Sequence, residues 1–199
     1  MAVESAEQLQ QAPVERWRFT VDDFYRMGEV GIFPPDARVE LIDGEVYRMA
    51  PIGSHHNGSV ASLDERLREG LGRRVTIIAQ GPLQLRQIGR RQGNPQPDVL
   101  VLKRRNDFYR HANPTAADVL LLIEVADTTP RYDREVKGPL YARAGIVEYW
   151  IVDLTGARLL VHRGPVDGIY QSVEVLTRER TVAPLAFPEL TIAVADTLA

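Results

Sequence analysis

The chain has 199 residues, 44% of them hydrophobic and 26% charged, a balance typical of one globular domain with a sizeable core. It has no cysteine, which excludes disulfides, thiolate metal sites and cysteine nucleophiles. The net charge of −3 argues against a general nucleic-acid-binding protein, although the basic residues are unevenly distributed along the chain.

The first part of the chain predicts a short lead-in followed by one domain. Residues 1–16 contain no apolar run, so we expect a disordered segment without a signal peptide or membrane anchor, in a cytoplasmic protein. Residues 17–199 show no repeat or linker that would divide them and are predicted to form a single domain. Within it, Thr20 and Asp23 form an N-cap pattern that predicts a helix ending near Gly28.

A hairpin and a longer helix come next. Asp43-Gly44 separates two β-type runs, residues 38–42 and 45–49, and this dipeptide is a strong hairpin signal. Apolar side chains at steps of three and four then predict an amphipathic helix over about residues 56–70. Three further segments are short, namely β-type runs at residues 75–79 and 83–86 and a polar turn region at residues 89–97.

The second half of the chain alternates strands with a helix. Residues 119–123 are all apolar and predict a strand that is buried on both faces. Helical character at residues 133–144 separates this strand from another at residues 149–152, so the two strands should run parallel. An antiparallel pair is predicted at residues 157–163 and 169–176. The fold class is therefore α/β with a mixed β-sheet.

Two acidic residues lie where a plain hydrophobic core would exclude them. Asp98 begins an apolar strand at residues 99–102, and Glu124 ends the buried run at residues 120–123. If these strands pair antiparallel, both carboxylates reach the same edge of the sheet, where together they favour a hard cation. Each acid taken alone is better explained as a strand end that meets water.

Lys137 lies in the helical segment that follows Glu124. It comes four residues after Asp133 and is therefore on the same helix face. The spacing leaves two alternatives open. One is a solvated ion pair with Asp133, worth roughly a few tenths of a kcal/mol. The other is a lysine that reaches over the carboxylate pair.

The residue types also indicate which metal would bind. Without cysteine and with four histidines, a closed zinc site is disfavoured. Carboxylate oxygens, a main-chain carbonyl and water suit Mg²⁺ or Mn²⁺, which often complete their coordination with phosphate oxygens. Phosphodiester hydrolysis needs a positioned water, a Lewis acid and a cation for the developing charge, and two carboxylates, a metal and a lysine supply that set.

Three other features have both a functional and a plain interpretation. His56, at the start of a predicted helix, could touch a phosphate, but such a histidine is more often a cap or a surface residue. Glu40 alternates with Leu41 in the hairpin, and this position fits the solvent-exposed face of the hairpin. The segment from Arg86 to Arg110 contains seven basic and two acidic residues. This positive segment could bind a phosphate backbone beside the site, or it could be an ordinary solvated loop surface.

Several motifs occur together in a fixed order. They are Gln96-Pro97-Asp98-Val99 and residues 123–128, 132–137 and 145–153, preceded by residues 39–45, 49–54 and His56. In combination they resemble the Uma-type family of proposed restriction endonucleases, within the PD-(D/E)XK nuclease superfamily. The resemblance covers roughly residues 17–195.

The resemblance implies a restriction-endonuclease-like fold, with a central mixed β-sheet flanked by helices and Mg²⁺ at one edge. It implies that Asp98 and Glu124 bind the metal and are catalytic. The superfamily usually has a lysine two residues after the second acid, where this chain has Ala126, and the resemblance assigns that role to Lys137. Glu40 and His56 match recurrent family positions and are further catalytic candidates.

The leading hypothesis is thus a nuclease, an endodeoxyribonuclease that uses Mg²⁺ or Mn²⁺ to hydrolyse phosphodiester bonds in DNA. One alternative is a catalytically silent nucleic-acid-binding or assembly module on the same fold, and another is a metal-dependent hydrolase of some other phosphoester. Intact Asp98, Glu124 and Lys137 argue against the silent module. DNA is the expected partner, a homodimer is compatible with the sequence, and no membrane association is expected.

Overall fold

The computed structural model of the chain describes residues 16–88, 91–127 and 130–198. The predicted lead-in at residues 1–16 lies outside these ranges except for Arg16. The strands are β1 (Val39–Ile42), β2 (Glu45–Arg48), β3 (Val75–Ala79), β4 (Leu85–Ile88), β5 (Arg91–Gly93), β6 (Val99–Lys103), β7 (Val119–Ala126), β8 (Glu148–Asp153), β9 (Arg158–Val166), β10 (Ile169–Thr177), β11 (Thr181–Val182) and β12 (Ile192–Ala193). The helices are α1 (Val21–Glu29), α2 (Ser54–Leu71), α3 (Pro130–Tyr132), α4 (Gly138–Arg143) and α5 (Val194–Thr197), with a π-helical turn (Asp133–Lys137) between α3 and α4.

A six-stranded mixed sheet forms the centre of the fold, with the strand order β10-β9-β8-β7-β6-β3. Strands β7 and β8 run parallel, as the strand–helix–strand pattern predicted, and the other neighbouring pairs are antiparallel. The continuous apolar run of β7 explains its central place, because it is covered on both faces. The predicted α/β fold with a central mixed sheet is confirmed.

Side chains alternate between the two faces of this sheet and build two hydrophobic cores. One core contains Trp150 and packs against α2 and the C-terminal segment with Leu198. The other contains Tyr149 and packs against α4 through Leu140 and Tyr141. Because elements cover both faces, a charged residue on a central strand is removed from water unless a cavity reaches it.

The β1–β2 hairpin is a separate two-stranded sheet. Asp43 (φ 50°) and Gly44 (φ 79°) both adopt the left-handed conformation that a two-residue type I′ turn requires. Arg143 of α4 donates to both carboxylate oxygens of Asp43, at 2.7 and 2.6 Å. The tip of the hairpin is therefore attached to the helix that follows Lys137.

The segment from α3 to α4 is one continuous helix with a wider turn in its middle. There the Gly138 N–H donates to the carbonyl of Asp133, five residues back. Pro139 follows and has no N–H, and in a regular α-helix its ring would clash with the preceding turn, so the wider turn accommodates it. The sequence predicted a helix here with a distortion at Gly138-Pro139, and the distortion takes this form.

Other predicted elements are confirmed with small shifts, and two regions differ. Thr20 and Asp23 form the capping box of α1. Residues 89–97, predicted as a polar turn, contain β5, which pairs antiparallel with β4. Strand β5 has three residues and no apolar alternation to reveal it. The C-terminal β11, β12 and α5 also lack a predicted counterpart, because elements of two to four residues are too short to show a period.

Candidate active site

Asp98 and Glu124 lie on neighbouring antiparallel strands, as predicted. Asp98 directly precedes β6, and the register Val99↔Ile123 places it opposite Glu124 of β7. Residues opposite each other in an antiparallel pair project to the same face of the sheet. Both side chains line one cavity of about 370 Å³, together with Glu40, Asp133 and Lys137. Strand β7 continues for two residues past Glu124, so this acid does not end the strand.

Lys137 is buried in this cavity and contacts three carboxylates. Its Nζ lies 2.9 Å from Glu124 Oε1, 3.3 Å from Glu40 Oε1 and 3.9 Å from Asp133 Oδ1. Burial lowers the pKa of Lys137, but the three carboxylates together raise it above its ordinary value, so the ammonium stays charged. The alternative of a solvated ion pair with Asp133 is wrong, since Lys137 is 4% exposed and Asp133 is 5% exposed.

Glu40 and His56 also belong to this cavity. Glu40 is 2% exposed, so its assignment to a wet hairpin face is wrong. Its Oε1 accepts from the Gln96 N–H at 2.7 Å as well as from Lys137. His56 Nε2 lies 3.1 Å from Asp98 Oδ2, and this hydrogen bond raises the pKa of the imidazole. The hairpin and the start of α2 therefore add an acid and a base to the two strands.

Two contributions to the site had no clear signal in the sequence. Tyr141, wholly buried in α4, donates from its hydroxyl to Glu124 Oε1 at 2.7 Å. The N–H of Val125 donates to Asp98 Oδ2 at 2.8 Å. Tyr141 comes four residues after Lys137, and this spacing is the one pattern that could have pointed to it.

The cavity holds more negative charge than its own lysine can balance. Burial raises the pKa of Glu124 well above its ordinary value, and the nearby Asp98, Asp133 and Glu40 raise it further against the opposing effect of Lys137. Burial likewise raises the pKa of Asp133, to about 6. Such an excess of buried carboxylate is costly without a further cation.

The two central carboxylates are each anchored through one oxygen. Both donors to Asp98 use Oδ2, and both donors to Glu124 use Oε1. Within the described ranges, Asp98 Oδ1 and Glu124 Oε2 accept no hydrogen bond. No three His, Asp or Glu side chains of the described residues converge as a metal-binding group. Two hard oxygens without a complete cage suit Mg²⁺, which commonly binds one or two carboxylates and takes its other ligands from water and phosphate.

Of the two alternatives left open for the basic segment, the structure favours an ordinary surface away from the cavity for its later part. Lys103 ends β6, five residues from Asp98, which places it roughly 17 Å away at the far end of the strand. The loop beyond it contains Arg104, whose guanidinium stacks 4.2 Å from the Phe108 ring centroid. Arg86 forms an ion pair with Asp22 at 2.8 Å. A phosphate track beside the site is therefore wrong for the part of this segment that follows β6, and Arg90 lies outside the described residues.

The fold is of the restriction-endonuclease-like class. The family model Uma2, described as "putative restriction endonuclease", matches residues 21–195, and the chain belongs to this family. The resemblance seen in the motifs is thereby confirmed.

One solved structure has a similar fold. It is described as a putative nuclease belonging to DUF820 from Anabaena variabilis ATCC 29413, and it aligns with a TM-score of 0.69 at 17% sequence identity, over 90% of this chain and 97% of that chain. At this identity the likeness concerns the fold. No curated protein matches the chain. No helix in the described part of the chain is long and apolar enough to span a membrane.

Proposed function

We propose that this protein is a Mg²⁺-dependent nuclease that hydrolyses phosphodiester bonds in DNA. The observation that carries the proposal is the buried contact of Lys137 with Glu124, 2.9 Å, in the cavity that Asp98 also lines. A buried lysine kept charged beside two partly free carboxylates combines a metal-binding pair with a cation for a developing negative charge. The family description supports a nucleic acid as substrate.

In this proposal Asp98 and Glu124 would hold the metal, with Mn²⁺ as a substitute for Mg²⁺. When bound, the ion supplies Lewis-acid polarisation of the phosphate and acidifies water. The Lys137 ammonium faces the same space and stabilises the charge that accumulates on the phosphate oxygens during attack by water.

The remaining residues hold these groups in place. His56 and the Val125 N–H fix Asp98 through Oδ2, and Tyr141 fixes Glu124 through Oε1. Glu40 holds the Lys137 ammonium from the side of the hairpin. The contacts of Val125, Tyr141 and Glu40 are buried and that of His56 is partly buried, so the geometry is set before the substrate arrives, which is the condition for strong electrostatic stabilisation.

The deciding experiment incubates the protein with plasmid, single-stranded DNA and RNA, with Mg²⁺, with Mn²⁺ and with a chelator. We expect at least one of the DNA substrates to be cleaved with either metal, and none to be cleaved with the chelator or by Asp98→Asn. Calorimetry should show weak Mg²⁺ or Mn²⁺ binding by the wild type and less by Asp98→Asn. Cleavage that persists in the chelator, or equal metal binding by the two proteins, would contradict the proposal.

A further inference from the structure

The floor and the mouth of the cavity differ in chemistry. The floor is acidic and almost inaccessible, since Asp98 is 8% exposed and Glu124 is 3% exposed. The walls come from the β1–β2 hairpin, from the segment that joins it to α2 and from the helix that carries Lys137. The cavity of about 370 Å³ lies within the size range of pockets that hold one small molecule.

One wall is aromatic. Tyr47 is paired with Glu40 across the hairpin, so both side chains project to the same side. The Tyr47 ring is 37% exposed and lies 5.9 Å from the ring of Tyr132, which also lines the cavity. The Tyr132 hydroxyl is buried and has no hydrogen-bond partner within the described ranges. Two rings, one of them exposed and one with an unused donor, form a surface on which a planar group can stack.

The same wall carries a cation. Arg38 lines the cavity and lies two residues before Glu40, hence on the same side of the hairpin. Across residues 16–88, 91–127 and 130–198, its guanidinium forms neither an ion pair nor a hydrogen bond. An unpaired guanidinium beside a set of carboxylates is suited to a ligand that brings its own anion, and a phosphate matches its geometry.

We propose that this cavity admits a single strand of nucleic acid and excludes an intact duplex, with Tyr47 and Tyr132 against a base and Arg38 on a phosphate. The inference rests on the proposed function and specifies its substrate. In a duplex each base is paired and stacked on its neighbours, whereas an unpaired base offers a free face to an aromatic ring. The floor is deeply buried, with Asp98 8% and Glu124 3% exposed, and a phosphate on a thin, flexible strand can enter such a cavity more readily than one on a wide, stiff duplex.

Binding without cleavage tests the proposal. The probes are a fluorescein-labelled oligodeoxynucleotide and its blunt duplex of the same sequence, and fluorescence anisotropy is measured in EDTA at fixed salt. We expect the strand to bind at least about tenfold more tightly than the duplex, and Tyr47→Ala and Arg38→Ala each to weaken strand binding about tenfold. Tyr47→Phe keeps the ring and should bind like the wild type.

Phe108→Ala and Arg104→Ala are the matched controls. They remove an exposed aromatic ring, 56% exposed, and the arginine stacked on it, at the far end of β6. Both should bind the strand like the wild type, and thermal melting of every variant separates weak binding from misfolding. Equal affinity for strand and duplex, or equal effects of Tyr47→Ala and Phe108→Ala, would overturn the inference.

Cleavage assays with Mg²⁺ keep this inference separate from the proposed function. If no nucleic acid is cut but the strand is still bound preferentially through Tyr47, the nuclease assignment fails and the inference is supported. If duplex and strand are cut at equal rates, the nuclease assignment is supported and the inference is overturned.

Discussion

Two buried glutamates on neighbouring strands, Glu148 and Glu124, differ in how their carboxylate oxygens are hydrogen-bonded. Glu148 begins β8 and Glu124 lies late in β7. In the parallel register Glu124 is beside Ile151, so Glu148 lies three residues nearer the start of the strands and projects to the opposite face of the sheet. Glu148 is completely buried. Its Oε1 accepts from Arg163 Nε at 2.8 Å and from the Trp150 indole at 3.0 Å, and its Oε2 accepts from the Leu185 N–H at 2.7 Å.

At Glu148, then, donors from the protein engage both oxygens, and one adjacent arginine balances the charge. At Glu124 both donors use the same oxygen, and the single lysine is shared with Glu40 and Asp133. The first arrangement is what a structural buried acid requires. The second leaves a carboxylate oxygen and a net negative charge unused by the fold, which is where a functional role is expected.

Replacing each of the two glutamates by glutamine tests most directly whether Glu124 is functional and Glu148 structural. Glu124→Gln should have the largest effect. We expect cleavage to fall at least about a hundredfold, since even a residue that only supports a metal ligand is worth about 10–100-fold. The free energy of unfolding should change by no more than about 1 kcal/mol, because Lys137 keeps Glu40 and Asp133 as partners and a neutral amide replaces a carboxyl whose pKa burial already raises. Cleavage rates and urea denaturation measured on one preparation test both parts. An active Glu124→Gln protein would remove this residue from the site.

Lys137→Met should come next in effect, with a loss of about a hundredfold in cleavage rate and retained Mg²⁺ binding by calorimetry. The free energy of unfolding should fall more at pH 8 than at pH 6, because the buried carboxylates lose the cation that offsets them when they are ionised. The control is Arg134→Met in the same helix, whose side chain is 49% exposed and pairs with Glu135. That exposed pair should contribute less than about 0.5 kcal/mol and nothing to cleavage. If Lys137→Met cuts at the wild-type rate, Arg131 and Arg134 become the candidates.

Glu148→Gln should show the opposite pattern to Glu124→Gln. It leaves the Arg163 guanidinium without its buried carboxylate, and breaking such a pair costs roughly 3 kcal/mol in unfolding free energy. Cleavage per folded molecule should stay at the wild-type rate, because Glu148 projects to the opposite face of the sheet. A loss of activity without a loss of stability would mean that the two faces are not separate in function.

A smaller effect is expected in the pH dependence of the free energy of unfolding, through Asp133 in the cavity. The pKa of Asp133 is raised by burial to about 6 in the folded protein, above its ordinary value of 3.8. Its contribution to stability is therefore complete below about pH 4 and is lost as the pH rises through 6. Relative to Asp133→Asn in EDTA, the wild type should lose on the order of 2 kcal/mol between pH 4 and pH 7. Parallel stability curves for the two proteins in urea denaturation would contradict this.

The parts of the site that rest on local pattern were predictable, and those that rest on long-range packing were not. Asp98 and Glu124 stand out because each is an acid next to an apolar run of a strand, and strand pairing then brings them together. For Lys137 the spacing left two alternatives, and only the family resemblance favoured the one in which this lysine reaches Glu124. Glu40 was misplaced by hairpin alternation, because a hairpin alone does not show that α4 and Lys137 will cover its outer face.

The same reasoning applies to the fold. The hairpin at Asp43-Gly44, helix α2 and the parallel pair β7–β8 follow from periods and turn residues that a short window contains. The wall formed by Arg38, Tyr47 and Tyr132 joins residues that are about ninety positions apart in the chain, so no local pattern predicts it.

The π-helical turn changes the directions in which Asp133, Lys137 and Tyr141 project from the helix axis. In a uniform α-helix each step of four residues overshoots a full turn by about 40°, so Asp133, Lys137 and Tyr141 would fan out over about 80°. The wider turn between Asp133 and Lys137 makes the first step fall short, and the second step, in α4, overshoots. The two errors cancel, and the three side chains form one column: Lys137 and Tyr141 both contact Glu124, and Asp133 lies beside Lys137. The one additional residue in this turn thus keeps the three side chains on one side of the helix. A one-residue deletion there would rotate Asp133 away from Lys137, or Lys137 and Tyr141 away from Glu124.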